Sequence, residues 1–190
     1  IKARTISQAA YRFLLSKKNL PPIFSQNNIN LFFGRGKHFV TYPTGNGDMI
    51  NFVFCKREKN HLVNDWKEKV TKQQFFKDFE LNECLRTCVS NVKTIYRWPI
   101  IESALPSEIH KKNVVLVGDA AHGMLPYLAQ GANKALEDSW ELAKHIKTYP
   151  LDLNKSLEKY SEKRIKRIKK LDKVSRLNEK VYHLEQKVLR

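Results

Sequence analysis

The sequence predicts an α+β chain in which an antiparallel sheet comes first and helices dominate the end. Three observations carry that prediction. Four β-rich segments separated by turn signals precede residue 57, a short continuous apolar run ends in Gly118-Asp119, and apolar residues recur every three or four positions from residue 131 onward.

A chain of 190 residues with 42% hydrophobic content and three Trp can bury one sizeable core or two small lobes, which excludes a disordered polypeptide. It opens on Ile1 rather than Met, with no start-like segment before the first apolar run, so coding sequence upstream is expected. The net charge of +16, from 35 Lys+Arg against 19 Asp+Glu, taken alone admits nucleic acid, an anionic membrane or an acidic ligand as partner. Residues 155–190 hold 13 basic and 5 acidic side chains, so half of the surplus falls on one helical segment and reads as a solvated helix face.

Cys55, Cys84 and Cys88 are odd in number and lack metal-ligand spacing, so free thiols in a reducing cytoplasm and no metal site are expected. No apolar run approaches the roughly 18 to 20 residues that span a bilayer, and no stable membrane insertion is expected. No signal-peptide pattern opens the chain.

Strands are expected at 4–15, 29–33, 37–43 and 48–56, paired antiparallel. Between the last two, Pro43-Thr44-Gly45-Asn46-Gly47-Asp48 supplies the positive-φ residues of a tight reversal. Residues 65–92 change to helical spacing, with Trp66, Val70, Phe75, Phe79, Leu85 and Val89 in phase and Thr71 as N-cap, which predicts two short helices. A strand at 94–101 follows. Val114-Val115-Leu116-Val117 reads as a fully buried strand whose C-terminal end meets a ligand. A helix is expected over 131–147 and a long one over 152–190, whose apolar stripe favours a surface helix packed on the domain over a coiled-coil seam. The expected segments are a sheet lobe at 1–112, a strand-loop-helix unit at 113–150 and the basic helix at 151–190.

The stretch 114–138, VVLVGDAAHGMLPYLAQGANKALED, carries the chemistry. A carboxylate at a strand end, Asp119, is placed to accept hydrogen bonds from sugar-like hydroxyls. Gly131 and Ala132 let a flat ligand approach the backbone where a helix begins, and the free N–H groups there favour partial negative charge. The order GDAAH, Pro126, Gln130-Gly131, Asn133, Glu137-Asp138 resembles the second FAD-binding motif of the para-hydroxybenzoate hydroxylase fold. The resemblance implies the C-terminal part of an FAD/NAD(P)-binding α/β fold. It assigns Gly118, Asp119, Pro126, Gln130, Gly131, Ala132 and Asn133 to the cofactor, with Asp119 on the ribityl chain and the 130–133 backbone at the pyrimidine edge of the flavin. His122 is expected to satisfy backbone groups of its loop.

The strand region resembles the salicylate hydroxylase-like branch of that family through Tyr11-Arg12-Phe13, His38-Phe39-Val40-Thr41-Tyr42-Pro43 and Asn51, departing at Phe13 where Gly is common. Alternation along a strand puts His38, Val40 and Tyr42 on one face. His38 is then suited to accept a phenolic proton and Tyr42 to hold a carboxylate or phenolate, with Gln130 as a third catalytic candidate. The likeness runs from about residue 8 to the end.

That family carries an N-terminal G-x-G-x-x-G turn for the FAD pyrophosphate, and the seven glycines here contain no such spacing. The chain by itself is therefore expected to be inactive and to bind FAD weakly. For the complete protein the resemblance implies an FAD-dependent monooxygenase that hydroxylates a small aromatic substrate with NADH or NADPH and O2, without a nucleic-acid partner, and it admits a homodimer. The alternatives are a ubiquinone-pathway hydroxylase, an epoxidase or a flavin reductase of the same fold. From another class, a basic helical nucleic-acid-binding or interaction module would leave 114–138 unexplained.

Overall fold

A computed structural model describes residues 3–58 and 67–184. The chain divides into two compact units, one made of residues 1–6 and 101–181 and the other of 7–100 and 182–190. Both expected segment edges, at 112 and 150, lie inside the first of these. The reason is that the Gly118 turn, the helix after it and the last helix are tied together by buried polar contacts described below.

The second unit is built on a six-stranded sheet. Its strands are β1 (Ala3–Ser16), β2 (Asn30–Gly34), β3 (Lys37–Thr44), β4 (Met49–Arg57), β5 (Glu68–Val70) and β6 (Ile95–Ser103), in the order β2-β3-β4-β1-β6-β5. β2 with β3, β3 with β4, β4 with β1 and β5 with β6 pair antiparallel. The four strands expected from alternation are present within one or two residues, and β5 adds a short edge strand. In the β3–β4 turn, Gly45, Asn46 and Gly47 have φ of 59°, 57° and 89°, the left-handed backbone expected there.

Register decides which face each residue serves. Tyr11, Phe13, Phe39, Phe52 and Phe54 stand on one face, where Phe13 stacks on Phe52 at 5.2 Å and Phe39 on Phe54 at 4.6 Å. The short helices α1 (Pro22–Ser25), α2 (Lys72–Asp78) and α3 (Glu83–Ser90) add Phe24, Phe75, Leu85 and Val89 to that core, joined by Phe79 just past α2. Phe13 is one of its stacked rings. Thr71 caps α2 as expected, in a reciprocal capping box with Gln74. Trp66 lies outside the described residues.

The first unit holds the two-stranded pair β7 (His110–Lys111) and β8 (Val114–Val115), then α4 (Asp119–His122), α5 (Gly131–Thr148) and α6 (Leu153–Tyr182). The expectation of a fully buried strand at 114–117 is corrected. Only two residues are extended, and Val114 and Val117 are 66% and 40% exposed. Among the described residues β8 has a strand partner on one side only, so nothing covers these side chains as a parallel-sheet interior would. Leu136 and Trp140, one turn apart on α5, are exposed as well.

α6 packs Leu157, Tyr160 and Ile168 inward and leaves Val174 and Leu177 exposed, which makes it a surface helix laid on its unit. Residues 185–190 of the expected helix lie outside the described residues. No described helix is long and apolar enough to cross a membrane.

Candidate functional site

Two places carry the residues singled out by sequence, one in each unit. In the first unit, Gly118 turns the chain with φ 59°, a conformation that costs glycine nothing, and its N–H donates to Asp138 Oδ2 at 2.7 Å. Asp119 follows at the first position of α4 with its carboxylate exposed. Pro126, Gln130 and Gly131 line a cavity of about 190 Å³ together with Asp119 and Lys134.

Gln130 sits at the N-cap of α5 without a side-chain capping bond; its Oε1 instead accepts from Asn133 Nδ2 at 3.3 Å. Ala129 before it has φ 52°, which turns the loop into the helix. Gly131, Ala132 and Asn133 are exposed, and a Cβ added at Gly131 would meet open space. Their N–H groups have no intrahelical acceptors in a first turn, and no side chain caps them. Exposed donors at a positive helix end, beside an exposed carboxylate and an open glycine, fit the flavin and ribityl portion of FAD. The sequence holds no glycine-rich turn for its pyrophosphate.

This arrangement is held by a buried network that sequence reasoning did not assemble. His122 meets Asp138 Oδ2 at 2.6 Å through Nε2, so a side chain rather than loop backbone is its partner. Arg164 of α6 donates to Asp138 Oδ1 at 2.6 Å and to Glu137 Oε2 at 2.8 Å. Lys134, also buried, donates to the His122 carbonyl at 3.1 Å. Burial pushes the Asp138 carboxyl up, but hydrogen bonds from His122, the Gly118 N–H and Arg164 outweigh it and hold the group below its ordinary value. Burial lowers the Lys134 ammonium, while the nearby carboxylates partly restore it. The Glu137-Asp138 pair at the end of the motif was the available signal.

In the second unit, the sheet face opposite the aromatic core carries His38, Val40 and Tyr42 on β3, Cys55, Val53 and Asn51 on β4, and Ala10, Arg12 and Leu14 on β1, in matching rows. His38 and Tyr42 do share this face. Four residues of strand separate them by about 13 Å, and they line different cavities.

His38 is buried, with Nδ1 at 3.2 Å from His183 Nε2 and the Tyr182 ring beside it. Burial, then repulsion from His183, lowers its pKa to about 3, so it is held neutral. Tyr42 instead opens into a cavity of about 880 Å³ walled by β1, β3, β4, β6 and the end of α3. Asn51 Nδ2 donates to its hydroxyl oxygen at 2.6 Å, which leaves the phenolic hydrogen to be donated elsewhere. Tyr96, Trp98 and Arg12 share this cavity. Among the described residues no group of His, Cys, Asp or Glu could hold a metal ion.

A family model described as FAD binding domain matches residues 14–175. Over 187 residues the chain is 29% identical to a 3-hydroxybenzoate 6-hydroxylase of Polaromonas naphthalenivorans, covering 96% of this chain and 46% of that protein. It is 24% identical over 184 residues to a 3-amino-4-hydroxybenzoate 2-monooxygenase of Streptomyces platensis, with the same coverage. Among solved structures, a salicylate hydroxylase substrate complex superposes with a TM-score of 0.83 at 23% identity, over all of this chain and 50% of that one. Klebsiella pneumoniae HpxO with FAD and uric acid gives 0.80 at 20% identity, over 96% and 46%. The chain thus spans about half the length of the relatives it matches.

Proposed function

The chain belongs to the FAD binding domain family, and from that premise we propose that it is the substrate-holding and flavin-side half of an FAD-dependent aromatic hydroxylase. The observation that carries the reading is a roomy cavity in which aromatic walls meet the Tyr42–Asn51 pair, in a chain whose α5 N-terminus suits a flavin. A pocket lined by rings with a few convergent polar groups suits one small aromatic molecule. A polyprenyl substrate would ask for a channel free of such groups.

In this reading the carboxylate of Asp119 accepts hydrogen bonds from the ribityl hydroxyls of FAD. The first-turn N–H groups at Gly131, Ala132 and Asn133 donate toward the pyrimidine edge, with Gln130 and Pro126 shaping the approach and Gly118 setting the turn. FAD, once bound, supplies the oxygen-transfer chemistry, drawing on NADH or NADPH and O2. Tyr42 donates its hydrogen to the substrate's phenolic or carboxylate oxygen while Asn51 fixes the hydroxyl's orientation. His38, neutral and held by His183, is assigned to support this face rather than to take a proton. Gln130 is assigned to the flavin side.

The test is oxidation of NADH and NADPH by this chain supplied with a family dinucleotide-binding segment and FAD, with and without salicylate and other hydroxybenzoates. Stimulated oxidation with a hydroxylated product is expected. Bound flavin with no response to any phenolic acid would withdraw the aromatic reading and leave the fold.

A further inference from the structure

α6 buries one face on its unit through Leu157, Tyr160, Arg164 and Ile168, and its opposite face carries an unbalanced charge. Lys166, Lys169, Lys170, Lys173 and Lys180 are all exposed there, and no ion pair or side-chain hydrogen bond joins any of them to another described residue. The basic residues nearer the start of the helix differ. Lys159 is paired with Glu162 at 2.9 Å, Lys163 with Glu141 at 2.8 Å and Arg167 with Glu137 at 3.1 Å.

Helical phase gathers these lysines with three apolar residues. At about 100° per residue, the five lysines, Val174 and Val181 all fall within about 80° of Leu177. Val174, Leu177 and Val181 are 46%, 59% and 48% exposed. Asp172 and Glu179, the two carboxylates between residues 163 and 181, lie roughly 140° and 160° round the helix from Leu177. Asp172 also accepts from Arg176 at 2.8 Å. The result is a row about 21 Å long, from Lys166 to Lys180, in which lysines are interleaved with aliphatic side chains and no acid intervenes.

Five unpaired ammonium groups in one row attract a polyanionic partner, and the aliphatic residues among them decide which. The phosphates of a nucleic acid offer nothing to Val174, Leu177 and Val181, and the row holds no aromatic ring on which a base could stack. A second copy of the chain would set the same lysines against one another. The surface of an anionic bilayer meets both features, because its headgroups face the ammonium groups while its acyl boundary takes short apolar side chains. Lysine stems lie along such side chains and keep their charged ends at the headgroups. We propose that this face of α6 docks the protein on membranes rich in anionic lipid, lying on the surface rather than crossing it.

The test is flotation of the 190-residue chain with vesicles of phosphatidylcholine alone and of phosphatidylcholine mixed with phosphatidylglycerol, at low and high salt. Every variant is first checked by circular dichroism. Binding is expected on the anionic vesicles only, and it should weaken as salt rises. Lys170→Gln combined with Lys173→Gln should weaken it about 25-fold, since each lysine near an anionic surface contributes about a factor of five. Leu177→Ser should weaken it about threefold or more through lost apolar contact. Lys144→Gln combined with Lys147→Gln removes the same charge from exposed positions of α5 and should change it less than about twofold. Equal loss from the two lysine pairs, or no binding to anionic vesicles at low salt, overturns the proposal. Tighter binding to duplex DNA than to the vesicles, lowered by the Lys170 and Lys173 changes but untouched by Leu177→Ser, would transfer the face to nucleic acid and overturn it as well. So would vesicle binding that disappears once a family dinucleotide-binding segment is supplied, which would assign the face to that segment.

Discussion

His38 Nδ1 lies 3.2 Å from His183 Nε2, two buried imidazoles that share one hydrogen. The contact fastens the chain after α6 to the β3 face of its unit, where the Leu184 carbonyl also accepts from the Gly36 N–H. The hydrogen bond needs an unprotonated ring nitrogen as its acceptor, and burial keeps His38 neutral.

That pair makes stability pH-dependent with a definite sign. The folded pKa of His38, about 3, lies below the ordinary 6.5, so the unfolded chain binds more protons between those values. Its contribution is complete above about pH 6.5 and is lost as pH falls toward 3. Thermal melts should show Tm dropping between pH 7.5 and 5, and His38→Gln should flatten that slope. An equal slope in the variant would assign the dependence elsewhere.

Asp138 is the keystone of the first unit. Asp138→Ala leaves His122 and the Gly118 N–H buried without their acceptor and Arg164 with Glu137 as its one remaining carboxylate, and should destabilise the unit by about 3 to 5 kcal/mol, read by urea denaturation. Since its folded pKa is depressed, its stabilisation is present above the ordinary carboxylate range and disappears as pH falls below about 4. This acid limb is distinct from the histidine limb at higher pH.

Phe54 touches Phe13, Phe39, Phe75 and Phe79 on the core face. Phe54→Ala should cost about 3 to 5 kcal/mol of unfolding free energy through lost burial and the cavity left behind. A cost under about 1 kcal/mol would mean that the neighbouring rings close the gap.

Tyr42→Phe keeps the ring and removes the hydroxyl that accepts from Asn51. Hydroxybenzoate affinity should fall about fivefold or more, with Tm nearly unchanged, because one hydrogen bond into an open cavity is lost. Unchanged affinity would remove Tyr42 from the ligand's contacts.

Flavin binding tests the role proposed for Asp119. The chain by itself should bind FAD only weakly in fluorescence titrations, and Asp119→Ala should weaken it further. Tight stoichiometric binding by the 190-residue chain would refute the expectation drawn from its missing glycine-rich turn.

Most of the elements were legible in the sequence because their causes are local. Alternating apolar residues, the Gly45-Asn46-Gly47 reversal, the Thr71 cap and the Gly118-Asp119 turn each act within a few positions. The family resemblance was legible for the same reason, since GDAAH through Glu137-Asp138 is one contiguous run.

What the tertiary structure alone decided depends on register and on partners distant in sequence. Alternation put His38 and Tyr42 on one face, but only the return of the chain at His183 shows that His38 is plugged while Tyr42 stays open. Likewise only the fold brings Tyr11 to Glu58 and Asp78, 47 and 67 positions away, where Arg97 and Lys56 complete the charge cluster. The apolar run at Val114 reads as buried because its composition is that of a sheet interior. Whether it is covered depends on neighbouring strands, and β8 finds one among the described residues. Hydrophobicity is written into single residues, whereas burial and pairing are properties of their surroundings.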